Sequence, residues 1–384
     1  MWLTIPVHRR CETSRAVVKH SYRDGRPIAF TGGGSAGHVL PALAVARAVR
    51  EASGSPLIFY GRAGSVEERL ARDADMGFRA VPAAGLRRYF SMKSGLMPFV
   101  VIHGIVRAVV LLRHDSPRVV FSKGSFVSVP VVCAAWLLRI PIVIHESDHS
   151  MGLANRFAGR LAARVLLSHP DTQMPRSFRR RSRVVGEIVR PDLADGDAER
   201  FRDAHDIAAD RPVVLVYGGG GGSGRINAAV RRGLDRLLEQ ATVVHVFGPG
   251  NIEQDLVGRR GYHQFDFIAA GMTDALRLAD IVVARAGANT VAELAALGRH
   301  AILVPLPVSV SRGDQIVNAR HFVERNGGVV LRDQDVGESL CSLIMIELRK
   351  GRERGRPTTV PDQAITPCQA VARMILEFGG DAHV

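Results

Sequence analysis

Cysteine is scarce. The 384 residues hold four, Cys11, Cys133, Cys341 and Cys368, far apart and with no CxxC spacing. That excludes a disulfide framework and a thiolate metal site, and reads as reduced thiols in a cytoplasmic protein. No uninterrupted apolar run reaches the roughly 18 residues of a spanning helix. Residues 1–26 carry Arg9-Arg10 without the apolar core of a signal peptide, and read as a basic extension. Acidic residues are outnumbered, 37 against 51 basic ones, giving a formal charge of +14 carried mostly by arginine. An acidic partner follows: nucleic acid, nucleotide phosphates or an anionic membrane surface. Aromatic residues make up only 6% and do not interleave with basic ones as in a nucleic-acid-binding module, which argues against nucleic acid.

What is abundant is glycine, placed between strands and helices. The organising stretch is Ile28-Ala-Phe-Thr-Gly-Gly-Gly-Ser-Ala-Gly-His38. An apolar strand runs into a glycine loop, and a helical pattern follows at Pro41, Leu43, Val45, Ala46 and Val49. Such a loop lets the backbone approach an anion or sugar, and the helix start adds free N–H groups and partial positive charge. Pro41 is expected in the first helical turn, where a missing N–H costs nothing. Gly32-x-Gly34-x-x-Gly37 also fits the dinucleotide fingerprint. That fingerprint wants an acidic residue after the second strand, yet Leu57-Ile-Phe-Tyr60 is followed by Gly61 and Arg62. The missing carboxylate counts against a nicotinamide cofactor, while Arg62, suited to a 2′-phosphate, keeps that alternative open.

Apolar runs alternate with helical patterns from residue 28 onward, which predicts parallel sheets with helices on both faces. Strands at 119–121 and 141–144 end in Ser122-Lys-Gly-Ser-Phe126 and His145-Glu-Ser-Asp148. Ligands in open parallel sheets sit at such carboxyl ends. Val184-Val185-Gly186 closes the first half, after a basic run at 176–183 that reads as a solvated face. The second half repeats the opening: strand 213–217, glycine loop 218–224, then a helix from Arg225. Strands follow at 242–247, 281–284 and 301–305, with polar loops at 285–290 and 311–315 and a last helix near 365–378. Two similar α/β domains facing across a cleft are expected.

Several motifs then occur in order: Gly32-Gly-Gly-Ser-Ala-Gly-His-Val-Leu-Pro41, His145-Glu-Ser-Asp148 with Gly152-Leu-Ala-Asn155, Arg285-Ala-Gly-Ala-Asn-Thr-Val-Ala-Glu293, and Gly313-Asp-Gln-Ile-Val-Asn-Ala319. With Gly85-Leu-Arg-Arg-Tyr-Phe90 and Phe121-Ser-Lys-Gly-Ser-Phe-Val-Ser-Val-Pro130, the chain over about residues 27–375 resembles the MurG family, the peptidoglycan N-acetylglucosaminyltransferases. The resemblance implies a GT-B fold: two Rossmann-like, doubly wound domains, an acceptor- and membrane-facing one at 27–186 and a UDP-sugar-binding one at 187–364, with a C-terminal helix and tail at 365–384. It implies UDP-N-acetylglucosamine as donor, undecaprenyl-pyrophosphoryl-MurNAc-pentapeptide as acceptor, a β(1→4) linkage formed with inversion, and no metal or cofactor. The chain departs from the family pattern in four places: Ser35-Ala36 for Thr-Gly, Glu187-Ile188 for Asn-Pro, Gly220 for a serine, and Asp148 for asparagine.

Inverting transfer needs a base for the acceptor hydroxyl, stabilisation of departing UDP, and alignment. His38 is one candidate base, since a helix N-terminus disfavours its protonated form. Asp148 is the rival. The resemblance assigns substrate contacts to Ser35, Ala36 and Gly37 in the first loop and to Gly220 in the second. Arg190 suits diphosphate, as a planar fork fits phosphate oxygens. Ala288, Asn289, Thr290 and Glu293 form the next contact set, with Glu293 on the ribose; alternatively Thr290-x-x-Glu293 is a capping box. Asp314 and Gln315 are assigned to sugar hydroxyls, or to bracing their loop, and Ile268 to uracil, or to the core. Around 85–113, Arg87, Arg88, Lys93, Arg107 and Arg113 rim an apolar run from Leu96, which predicts peripheral docking on the cytoplasmic face of an anionic membrane. Other enzymes on the same fold, such as a natural-product glycosyltransferase or a UDP-N-acetylglucosamine 2-epimerase, and a non-catalytic nucleotide-sugar-binding subunit, are the alternatives.

Overall fold

Strands that are apolar on both faces need cover on both faces. The computed structural model, which describes residues 25–84, 97–193, 195–268, 271–311, 313–354 and 366–378, provides it twice. The first half runs β1 (Ile28–Thr31), α1 (Ala36–Ser53), β2 (Leu57–Gly61), α2 (Val66–Asp73), β3 (Gly77–Ala80), α3 (Met97–Asp115), β4 (Val119–Ser122), α4 (Val129–Leu137), β5 (Ile142–Glu146), α5 (Leu153–Leu161), β6 (Arg164–Leu167) and β7 (Ser182–Val184). The second runs α6 (Ala198–Ala204), β8 (Val213–Tyr217), α7 (Gly224–Arg232), α8 (Leu234–Leu238), β9 (Thr242–Val246), β10 (Tyr262–Phe265), α9 (Met272–Leu278), β11 (Ile281–Ala284), α10 (Ala288–Ala296), β12 (Ala301–Leu303), α11 (Asp314–Asn326), β13 (Val329–Val330), α12 (Val336–Arg354) and α13 (Pro367–Glu377). The 1–24 part of the basic extension, the 85–96 stretch with Arg87, Arg88 and Lys93, and the side chain of Ala36 lie outside the described residues.

The sheets order as β3-β2-β1-β4-β5-β6-β7 and β10-β9-β8-β11-β12-β13, parallel throughout. Strand order reverses at β1/β4 and again at β8/β11, and a crevice opens at each such switch point. The two glycine loops leave the carboxyl ends of β1 and β8, so each sits in its domain's crevice. Each sheet is sealed on both faces: the first by Phe30 and Phe121 against Val45 and Val49 on one side and by Val120 and Ile144 with Leu112 and Val131 on the other, the second by Leu215 and Val282 with Leu276 and Leu294 on one side and by Val214 and Val283 with Ile226 and Leu340 on the other. α13 starts with a Thr366–Gln369 capping box. It then returns to the first sheet, burying Val371, Ala372 and Ile375 against the α1 side.

Pro41 is not in the first turn. α1 begins at Ala36, which puts the proline well inside the helix. The missing N–H is therefore a real loss, because a proline ring supplies no donor to the carbonyl four residues back. That carbonyl belongs to Gly37.

Candidate active site

The second glycine loop is built around backbone crowding. Gly222 has φ +75°, and a Cβ there would lie 1.8 Å from the Phe247 carbonyl oxygen, so only glycine fits. Arg285, after β11, donates to Ser223 Oγ at 2.8 Å and to Asp333 at 2.6 Å, tying this loop to the neighbouring strand end. Gly220 is exposed on the loop. In the first domain Ser125 plays the bracing part: its Oγ accepts from Gly33 N at 3.2 Å. Ser35 is the N-cap of α1, and its carbonyl accepts from His38 N at 3.1 Å. His38 is half-buried in the first turn.

α10 begins at Ala288 with Gly287 as N-cap, so Thr290 lies inside the helix and the capping box, the alternative reading of Glu293, does not form. Glu293 instead pairs with Arg190, Nε to Oε1 3.0 Å, both mostly buried. Burial raises the Glu293 carboxyl and Arg190 pulls it back. Tyr217, closing β8, lies against Thr290 and Glu293, and burial raises its hydroxyl. Asn289 reaches the other way, its Nδ2 donating to the Gly37 carbonyl across the cleft at 2.5 Å.

The loop after β5 is organised by Glu146, which had no role in the sequence reading. Its Oε1 accepts from Ser147 N and Asp148 N at 3.0 and 3.1 Å, and its Oε2 from Gly152 N and Asn155 Nδ2 at 2.9 and 3.0 Å. This presents Asp148 to the second domain, where Asn318 Nδ2 donates to Asp148 Oδ1 at 3.4 Å and Asp314 accepts from Ser150 Oγ at 2.5 Å. Burial, then Glu146 and Asp314, push the Asp148 carboxyl up to about 6. Glu187 is carried by burial up to about 7. Lys123, buried at the end of β4, donates to Ser147 Oγ and faces Glu146, Asp148 and Glu187; burial lowers its ammonium despite them. A buried lysine among three carboxylates was legible only as a loop residue in the sequence.

Gln315 spends its side-chain carbonyl on bracing its own loop, accepting from Leu306 N at 3.0 Å. Ile268 buries its side chain in the second core, as the alternative reading of that residue has it. Among the described residues, one group has metal-like spacing: His149, His169 and Asp171, with ligand atoms within 4.8 Å of one another. The rings of His149 and His169 are stacked at 3.8 Å and 11°, and His321 of α11 stacks on His149 at 4.2 Å. Lone pairs of parallel rings run side by side and do not converge on one ion. Burial lowers both His149 and His169, the latter to about 4, so these two rings are neutral near pH 7; the contact with His321 joins the two domains.

The glycosyltransferase family 28 N-terminal domain matches residues 28–167, and the family's C-terminal domain matches 213–359. A UDP-N-acetylglucosamine–N-acetylmuramyl-(pentapeptide) pyrophosphoryl-undecaprenol N-acetylglucosamine transferase of Geobacillus thermodenitrificans is 38% identical over 351 residues, 91% of this chain and 98% of that one. The same-named protein of Legionella pneumophila is 39% identical over 80% of this chain and 84% of its own. Among solved structures, Acinetobacter baumannii MurG aligns with TM-score 0.63 at 24% identity, covering 92% and 99% of the two chains. A Neisseria meningitidis UDP-GlcNAc 2-epimerase aligns at TM-score 0.57 and 12% identity, over 92% of this chain and 99% of its own, so the fold alone does not choose between transfer and epimerisation. With both family domains in order and near-complete coverage of relatives at this identity, the chain belongs to glycosyltransferase family 28 and, within it, to the family of N-acetylmuramyl-(pentapeptide) pyrophosphoryl-undecaprenol N-acetylglucosamine transferases.

Proposed function

We propose that this enzyme moves N-acetylglucosamine from UDP-N-acetylglucosamine to the C4 hydroxyl of undecaprenyl-pyrophosphoryl-MurNAc-pentapeptide, with inversion. The observation that carries the reading is near-full-length similarity to transferases of that name, joined to a cleft in which the His38 turn meets the Glu293 helix. His38 or Asp148 takes the acceptor proton. Arg190, the 218–224 loop and the α7 N-terminus offset the diphosphate charge as UDP leaves. Glu293 accepts from the ribose hydroxyls once Arg190 turns to phosphate. The 35–37 loop and Asp148 hold the acceptor, while the 288–290 turn, Asp314, Gln315 and the Ile268 backbone hold the donor.

Docking on the cytoplasmic face of the membrane completes the reading. α3 turns Phe99, Ile102, Val106 and Val110 outward, each more than half exposed, at the spacing of one helix face. Trp136 and Leu137, at the end of the packed neighbour α4, are equally exposed, and Arg107 and Arg113 flank the stripe. An apolar stripe rimmed by cations suits a headgroup layer, each cation contributing about 1 kcal/mol near anionic lipid. No helix among the described residues is long and apolar enough to cross a membrane.

The test is purified protein with UDP-N-acetylglucosamine, with and without the lipid-linked acceptor, following UDP release and product. Acceptor-dependent release supports transfer. Turnover of the sugar nucleotide without acceptor would place the chain with the epimerases.

A further inference from the structure

The first turn of α1 carries a carbonyl that its own helix cannot satisfy in the usual way. In a helix the Gly37 oxygen takes the N–H of residue 41, and residue 41 is proline. The same oxygen accepts from Asn289 Nδ2, in the other domain, at 2.5 Å. The position is close-fitting: a Cβ on Gly37 would stand 3.3 Å from that nitrogen. The Gly37 carbonyl and the His38 N–H belong to one peptide plane, and the N–H end is held by the Ser35 carbonyl at 3.1 Å. The plane is thus fixed at both ends, once from its own turn and once from α10, one turn before Glu293.

We propose that Pro41 and Asn289 form a closure latch: the proline withholds an N–H so that the Gly37 carbonyl stays available to Asn289, and the bond aligns the His38 turn with the donor helix when the domains meet. Pro41 is a positioning residue, and Asn289, which also belongs to the donor-holding turn, acts with it through the peptide plane of His38. The proposal rests on the transferase reading for its kinetic arm and stands apart from it in its structural arm. A proline retained inside a helix costs that helix stability relative to alanine. Here that cost leaves a carbonyl open to the opposite domain.

The experiment compares Pro41→Ala, Asn289→Leu and the double variant with the unaltered full chain. Alanine at 41 offers the Gly37 carbonyl an in-helix donor, so Pro41→Ala is expected to raise the melting temperature while lowering kcat about 2- to 10-fold, the scale of one hydrogen bond. Donor Kd by calorimetry should stay within about twofold for Pro41→Ala. Asn289→Leu should lower kcat by a similar factor, and the double variant should fall no further, since both changes remove one bond. Amide exchange, which needs no turnover, should quicken by a like factor in the 148–152 and 313–319 segments that face each other across the cleft. Additive kcat losses, a kcat loss with a lowered melting temperature in Pro41→Ala, or unchanged kcat and exchange in both single variants would each overturn the latch. If the unaltered protein shows no acceptor-dependent transfer, the functional reading fails, and exchange alone still decides the latch.

Discussion

Asp148→Asn should make the protein more stable at pH 8. The carboxyl is pushed from its ordinary 3.8 up to about 6, by burial first and then by Glu146 and Asp314. Below pH 3.8 it is protonated in both folded and unfolded chains and contributes nothing. Between 3.8 and about 6 the unfolded chain releases the proton while the native one holds it, so the native state loses ground. Above about 6 the cost is complete, about 3 kcal/mol at about 1.36 kcal/mol per pH unit. Asparagine keeps an Oδ1 to accept from Asn318 and carries no charge to bury. Chemical denaturation of wild type and variant at pH 8 and at pH 4 measures the difference. The expected gain is 1–3 kcal/mol at pH 8 (a range of about that size), shrinking towards zero at pH 4. A loss at pH 8, or a gain that ignores pH, would refute the reasoning. The same variant separates the candidate bases. If Asp148 takes the acceptor proton, kcat falls about 10²-fold or more and the wild-type limb near pH 6 disappears. If His38 does, kcat largely survives.

His38→Ala is expected to lower kcat about 10²-fold or more with donor Kd near normal, measured by UDP release and calorimetry; a near-wild-type kcat removes His38 from proton transfer. Glu293→Ala leaves Arg190 mostly buried without its partner. It should cost about 3 kcal/mol of stability and raise donor KM strongly, whereas intact stability and donor kinetics would contradict the pairing. Phe99→Ser with Val106→Ser, both outward-facing, should weaken binding to anionic vesicles in a flotation assay and spare activity on a short soluble acceptor. Vesicle binding indifferent to both substitutions and to salt would defeat the docking surface.

The sequence by itself determined the architecture. Apolar runs flanked by glycine loops predict parallel strands, and β8 and β11 fall on the expected residues because a doubly covered strand leaves no polar position to blur its ends. The chemistry-bearing loops were legible for the same reason: Gly32–Gly34, Asp148 and Asp314 are the polar breaks between apolar runs. Local rules misled where a helix start was read one turn late. Pro41 was expected at the start of α1 and Thr290 at that of α10, yet both lie inside helices that begin at Ala36 and Ala288. Tertiary structure alone decided which loops meet. No spacing ties residue 289 to 37, 318 to 148 or 190 to 293, since each pair joins segments separated by whole strands and helices. It also decided protonation. Asp148, Glu187 and Lys123 are ordinary surface-type residues in sequence, and only their common burial between the domains moves them from their usual ranges, because desolvation depends on what folds over a group and not on its neighbours in the chain.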